Sequence, residues 1–395
     1  MIKRLRKLVP AAVLALTPVL TFLAPGIANA ATITWTGGGT DGNWSTTANW
    51  SGGVIPASGD TVVIDNAATF TNGSDDDIAN LNLAGLTFIN DASGGTLNVT
   101  MSQPLTISGP ITQDSTVTTT TDSIGTSGGG GTLTLGSNVT VTSSGGGLTL
   151  GADGDTLDLG SNTLTFTDDG THGSIVAVDA NITGSGSVVF NGPVTDYQLW
   201  GTNTYSGTTH VIATDLPVDN ANNTNAFGTS AITIENGGSV SFTYAADTTI
   251  SNPITVTGTA SGSPVTSLNF GSTVAGVTLT VPNVTLNGST RFANDNAAGT
   301  TLTVNLAGIQ ANGHCVEYLG YGNDATNGPA NGFTNGPTGC ILQAPVGNTQ
   351  ANTPKTPDTG FALAAAHPVE TLALTVLGAA IIGGAAYKLR ATSRR

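Results

Sequence analysis

From residue 31 to about residue 309 the chain repeats one short pattern: three to six residues alternating apolar and polar, then Gly, Asn, Asp or Ser. TLTLGSNVTV (132–141) and TLDLGSNTLTF (156–166) are near copies set 24 residues apart. Shorter versions include LNL (81–83), LTFI (86–89), LTI (105–107), VVF (188–190), ITI (232–234) and LTV (302–304). Successive side chains of a strand point to opposite faces, so this alternation predicts short strands buried on one side. A period in the twenties with Gly/Asn turns predicts a parallel β-solenoid. One coil cannot bury its inward Leu, Val, Ile and Phe alone. The next coil, about 4.8 Å above, supplies like neighbours and pairs the backbone groups. The outward Thr positions stay solvated, and their β-branching suits the pleat. Spread over 31–309, the period gives roughly a dozen coils and a rod on the order of 50–60 Å. An array of immunoglobulin-like sandwiches is the rival. It wants units of about 100 residues with a core Trp, and Trp200 is the single Trp beyond residue 50.

Composition narrows the choice. With 54 Gly in 395 residues and only 9% charged residues, helical bundles and coiled coils are excluded, because Gly destabilises every helix it enters. A hydrophobic fraction of 38% is more than a disordered coil carries. Charge is unevenly placed: within 31–354 a single basic residue, Arg291, stands against 23 acidic ones, a net of −22. So acidic a body repels nucleic acid and anionic lipid and excludes nucleic acid as a partner, while attracting divalent cations or basic partners. Arg291 alone reads as a surface residue.

Both ends read as addresses. Residues 1–30 form a secretory signal peptide, with a basic start, an apolar run and a small-residue site, Ala28-Asn29-Ala30; cleavage after Ala30 leaves Ala31 first. At the other end, residues 343–355 form an extended linker without hydrophobic periodicity. Thr356, Pro357, Asp358, Thr359 and Gly360 follow, then an apolar stretch at 361–387 and a basic tail at 388–395. The apolar stretch is long enough for a transmembrane helix, which needs about 20 residues. The basic tail orients it with the body outside. This tail resembles a sortase-type cell-wall sorting signal, L-P-x-T-G before a hydrophobic helix and basic end, with Thr356 standing where Leu is usual. The resemblance implies a sortase-like transpeptidase as partner, cleavage between Thr359 and Gly360, and linkage of Thr359 to the cell wall. A plain membrane anchor is the alternative.

Two stretches of the body carry a second resemblance. TWTGGGTDGNWSTTANW (34–50) is similar to the opening of autotransporter-type β-helix passengers. GTNTYSGTTHV (201–211), AFGTSAITIENGGSVS (226–241) and ISNPITV (250–256) resemble the autotransporter-associated β-strand repeat. The likeness implies a single-stranded right-handed parallel β-helix exposed on a cell surface. No outer-membrane barrel follows in the sequence, so this passenger-like body is joined to a different anchor.

Candidate chemistry is sparse. Trp35, Trp44 and Trp50 could stack on sugar rings, but their place at the mature N-terminus favours an aromatic cap over the first coil's open edges. Cys315 and Cys340, in an exported chain, predict a disulfide worth about 3 kcal/mol. It would close a capping segment at 311–342 that is rich in Gly, Asn and Pro and lacks a strand pattern. GADGDTLDL (151–159) and Asp75, Asp76 and Asp77 offer oxygen ligands of the kind Ca²⁺ takes. A calcium-binding β-roll needs tandem copies of such a segment and the sequence has one, so Asp residues in tight turns are the favoured account, and no other cofactor is indicated. Asp168, Asp169 and His172 are similar to elements of pectin-hydrolysing β-helices, where paired carboxylates act as acid and base. Here they are contiguous and lack the basic pair that holds an anionic sugar, while His210 and His314 are scattered. The sequence therefore predicts a non-enzymatic, surface-exposed structural or adhesin-like protein whose ligand is a host or neighbouring-cell surface. A glycan-binding module and a polysaccharide-degrading β-helix are the alternatives.

Overall fold

The computed structural model describes residues 30–65, 73–90, 96–115, 121–168, 176–192, 197–212, 215–218, 225–235, 237–258, 266–294, 301–319 and 332–341. Nearly all of the expected signal peptide (1–29), the expected linker, the pentapeptide 356–360, the expected transmembrane helix at 361–387 and the basic tail lie outside them.

The described chain is an all-β parallel solenoid. Its spine is one sheet of eleven strands, from Thr32–Trp35 through Val139–Ser144 and Thr163–Asp168 to Val284–Leu286, every pair parallel. Two further faces complete each coil. The second is a six-stranded sheet from Ser74–Asp76 to Tyr197–Leu199, followed by a five-stranded sheet from Asp215–Val218 to Val316–Leu319. The third is a five-stranded sheet from Asn82–Leu83 to Asn181–Thr183, followed by a four-stranded one ending in Phe333–Thr334. Eleven rungs span about 48 Å at the strand spacing. That is slightly short of the dozen expected, because coils vary: Val188 pairs with Thr209, 21 residues on, and Ile254 with Val284, 30 on.

The near copies lie directly on one another. Thr132 pairs with Thr156 and Leu133 with Leu157, and the column continues to Leu105 below and Ile182 above, all four apolar residues buried. The repeated GSN corner has a mechanical reason. Asn162 Nδ2 donates to Leu135 O (2.8 Å), and Asn138 Oδ1 accepts from Thr163 N (2.9 Å), so each corner Asn staples one coil to the next. Gly109 sits where two corners touch; a Cβ there would fall onto the Ala84 carbonyl oxygen. Aromatic residues extend the core, with Phe166 stacked on Phe190 (5.2 Å) and Phe242 on Phe270 (6.0 Å).

Between the two halves of the third face no strand forms near residue 203. Asn203 takes its place. Its Oδ1 accepts from Ile182 N and its Nδ2 donates to Ala226 O, both at 2.7 Å, so a side-chain amide joins backbone bonds such as Thr204 N to Ile182 O (2.8 Å) and Thr229 N to Tyr205 O (3.0 Å) in carrying the ladder across the gap.

The stack runs past residue 310. Val316–Leu319 pairs with Thr290–Asn294, and Phe333–Thr334 pairs with Leu302–Asn305. The capping segment is thus partly made of further rungs. The sequence hides them because VEYL carries Glu317 among apolar residues and is buried at all four positions.

Candidate functional site

At the N-terminal end the loop after the first strand folds over the stack. Trp35, Trp44 and Trp50 are 1%, 0% and 3% exposed. Trp50 meets Trp35 and Trp44 edge-on at 4.9 and 5.4 Å, the geometry that aromatic quadrupoles favour. Trp44 Nε1 donates to Ser74 Oγ (2.7 Å) and Trp50 Nε1 to Trp44 O (2.6 Å). Neither ring face is open for a sugar. Asn49 holds the loop, its Oδ1 accepting from Gly39 N (2.7 Å) and its Nδ2 donating to Asn43 O (2.9 Å).

The Asp75, Asp76, Asp77 cluster lies under this cap, and the strand splits it. Asp77 accepts from Ser45 N (2.8 Å) of the cap, and Asp75 accepts from Ser102 Oγ (2.8 Å) of the next coil. Asp76 points inward, fully buried, with Oδ1 accepting from Ile78 N (3.1 Å) and Oδ2 unpartnered. Burial, with a smaller contribution from its two acidic neighbours, pushes its carboxyl up to about 7.

The second acidic segment is also committed to hydrogen bonds. The buried Asp155 carboxylate accepts from Thr126 N (2.9 Å), Thr126 Oγ1 (2.6 Å), Gly131 N (2.7 Å) and Ala152 N (2.9 Å). It ties its own turn to the coil before. Asp158 accepts from Gly160 N (2.9 Å). Asp153 faces Asp179 of the next coil; burial first and that neighbouring charge second raise Asp179 to about 6. Among the described residues, no group of three or more His, Cys, Asp or Glu is placed to hold a metal ion.

Asp168 ends its spine strand in register with the buried Ser143. Asp169 and His172 lie outside the described residues. His210 is on the spine and His314 follows a turn just before the strand Val316–Leu319. Arg291 is not a free surface charge: its Nε binds Oε2 of Glu317 at 2.8 Å, and Glu317 is 4% exposed. The pair lies one rung apart on the second face, and Arg291 supplies the counter-charge that a buried carboxylate needs.

Cys315 and Cys340 are disulfide-bonded, with Cα atoms 4.6 Å apart. Ile341 bridges Val316, and Val316 N donates to Cys340 O (3.0 Å), so the bond secures the final described turn.

Sequence reasoning missed a polar pocket of the core. Gln113, Asp122 and Ser143 are all fully buried; Gln113 reaches Ser143 Oγ at 3.1 Å and Asp122 Oδ2 at 3.3 Å. The signal was present: in ITQDS (111–115), Gln113 occupies the inward position two residues after Ile111. No known protein family, curated protein or solved structure matches the chain.

Proposed function

We propose that the chain is an exported, non-enzymatic surface protein of structural or adhesin-like type. Its body is a right-handed β-helix standing outside the cell, and its C-terminus holds it to the cell wall through Thr359, or to the membrane through the apolar stretch. The observation that carries this reading is the uninterrupted eleven-stranded spine. Its outward register repeats Thr from coil to coil, as at Thr87, Thr112, Thr142 and Thr167. A polar face repeated over these four coils offers many weak contacts, so strength comes from multivalency. Signal and sorting-like segments at either end of the sequence fit that display, as does the likeness to autotransporter repeats. The committed carboxylates of Asp155 and Asp77 fit a scaffold better than a catalytic pair. Fractionating cells that express wild type and Thr359→Ala tests it. Wall-linked protein in the first and membrane-retained protein in the second is the expected result; identical, fully soluble distributions would refute the anchor.

Glycan binding is the second reading, and one residue favours it. Trp200 is 37% exposed, with Nε1 donating to Gln198 Oε1 (3.0 Å), at the end of the six-stranded face. An exposed indole offers an apolar face for a sugar ring. Glycan-array binding lost in Trp200→Ala would support it.

A further inference from the structure

The N–H of Ala31 donates to Asp60 Oδ1 at 2.9 Å, while Oδ2 of the same carboxylate accepts from Ala57 N at 2.9 Å. Thr61 N donates to Ala31 O, and Ala84 N to Asp60 O, both at 2.8 Å. Ala31 is thus fixed by the second coil immediately before the first strand, and both Ala30 and Ala31 are exposed. The bond between them is the one that the Ala28-Asn29-Ala30 signal marks for cleavage.

We propose that removal of the leader turns this contact into an ion pair, with the new α-ammonium of Ala31 bound by Asp60. A signal peptidase hydrolyses the Ala30–Ala31 amide; water supplies the oxygen of the Ala30 carboxylate, and the Ala31 nitrogen leaves as an amine that takes up a proton. The nitrogen already lies at hydrogen-bonding distance from the carboxylate, so no rearrangement is needed. Charge makes the pairing informative. Arg291 is the one Lys or Arg in 31–354 and is held by Glu317 at the far end, so the α-ammonium supplies a cation where the first coil meets the second. Maturation thereby fastens the first rung to the stack. This inference rests on the export reading, and the experiment separates the two.

The full chain is exported from its own leader as wild type, Asp60→Asn and Asp60→Glu. The N-terminal peptide is identified by mass, and the α-amine is titrated by its acylation rate against pH. The expected mature terminus is Ala31. Its wild-type amine should titrate above the free range of about 7.7–8.0 and react about threefold more slowly at pH 7 than in Asp60→Asn. Asp60→Glu should behave as wild type. On wild type alone, 1 M salt should return the midpoint toward the free range, because an exposed pair is screened. An Ala31 terminus with the same midpoint in wild type and Asp60→Asn, or with no salt response, would overturn the pairing and leave export standing. A chain that keeps its leader would overturn both.

Discussion

At the scale of single residues, the most consequential side chain is Asp76. Its carboxyl is held near 7 by burial and keeps its proton more tightly in the folded state than in the unfolded one, where the ordinary value is 3.8. Its contribution is therefore fully present below about pH 4 and is lost as pH rises through 7. Asp179, at about 6, acts in the same direction. Asp76→Asn keeps the acceptor for Ile78 N and removes the charge. It should match wild type near pH 4 and be more stable at pH 8, by up to ~4 kcal/mol, in urea melts at the two pH values. At Asp155 the same kind of substitution breaks hydrogen bonds instead. Three of its four partners are backbone N–H groups shared between both oxygens, so an amide in either orientation turns its NH₂ toward Gly131 N or toward Thr126 N and Ala152 N. Asp155→Asn should cost about 2–3 kcal/mol, nearly as much as Asp155→Ala, by thermal or urea unfolding. Neither role was legible in the sequence. DGD and DDD read as turns or as calcium ligands, and only the coil-to-coil stacking reveals which oxygen faces a backbone N–H.

At the scale of strands and coils, the sequence spoke most clearly. TLTL and TLDL are in register because their Leu residues must shelter one another, which is why the 24-residue offset reappears as the pairing of Leu133 with Leu157. Leu157→Ala removes one member of a fully buried column and should destabilise by 2–5 kcal/mol, whereas Thr134→Ala on the outward side should change stability by no more than about 0.5 kcal/mol. Comparing the two urea midpoints checks this. Legibility failed where a rung lacks alternation. VEYL at 316–319 is buried throughout and pairs Glu317 with an Arg291 that is 26 residues away, so no local pattern marks it as a strand. Asn203 was hidden for a related reason: a side chain standing in for a strand leaves no strand signature.

At the scale of the whole molecule, each coil touches chiefly its neighbours, so damage should stay local. Cys315→Ser with Cys340→Ser removes a constraint worth about 3 kcal/mol in the chain-entropy argument. Hydrogen exchange should quicken in 302–341 while the central rungs near Leu133 and Leu157 keep their protection. Uniform acceleration along the chain would instead mark the solenoid as one cooperative unit. The same bond also sets a load path. Residue 341 bridges Val316, and Cys340 is tied covalently to Cys315, so tension applied to the chain beyond residue 341 bypasses the 24 intervening residues, the strands Val316–Leu319 and Phe333–Thr334 among them, and enters the stack through sulfur at Cys315. In an oxidising medium a tug on the tail would be resisted by the stacked body; under reductant the same tug would first peel Phe333–Thr334 and then Val316–Leu319 from the stack, lengthening the tether before the rungs below felt any force.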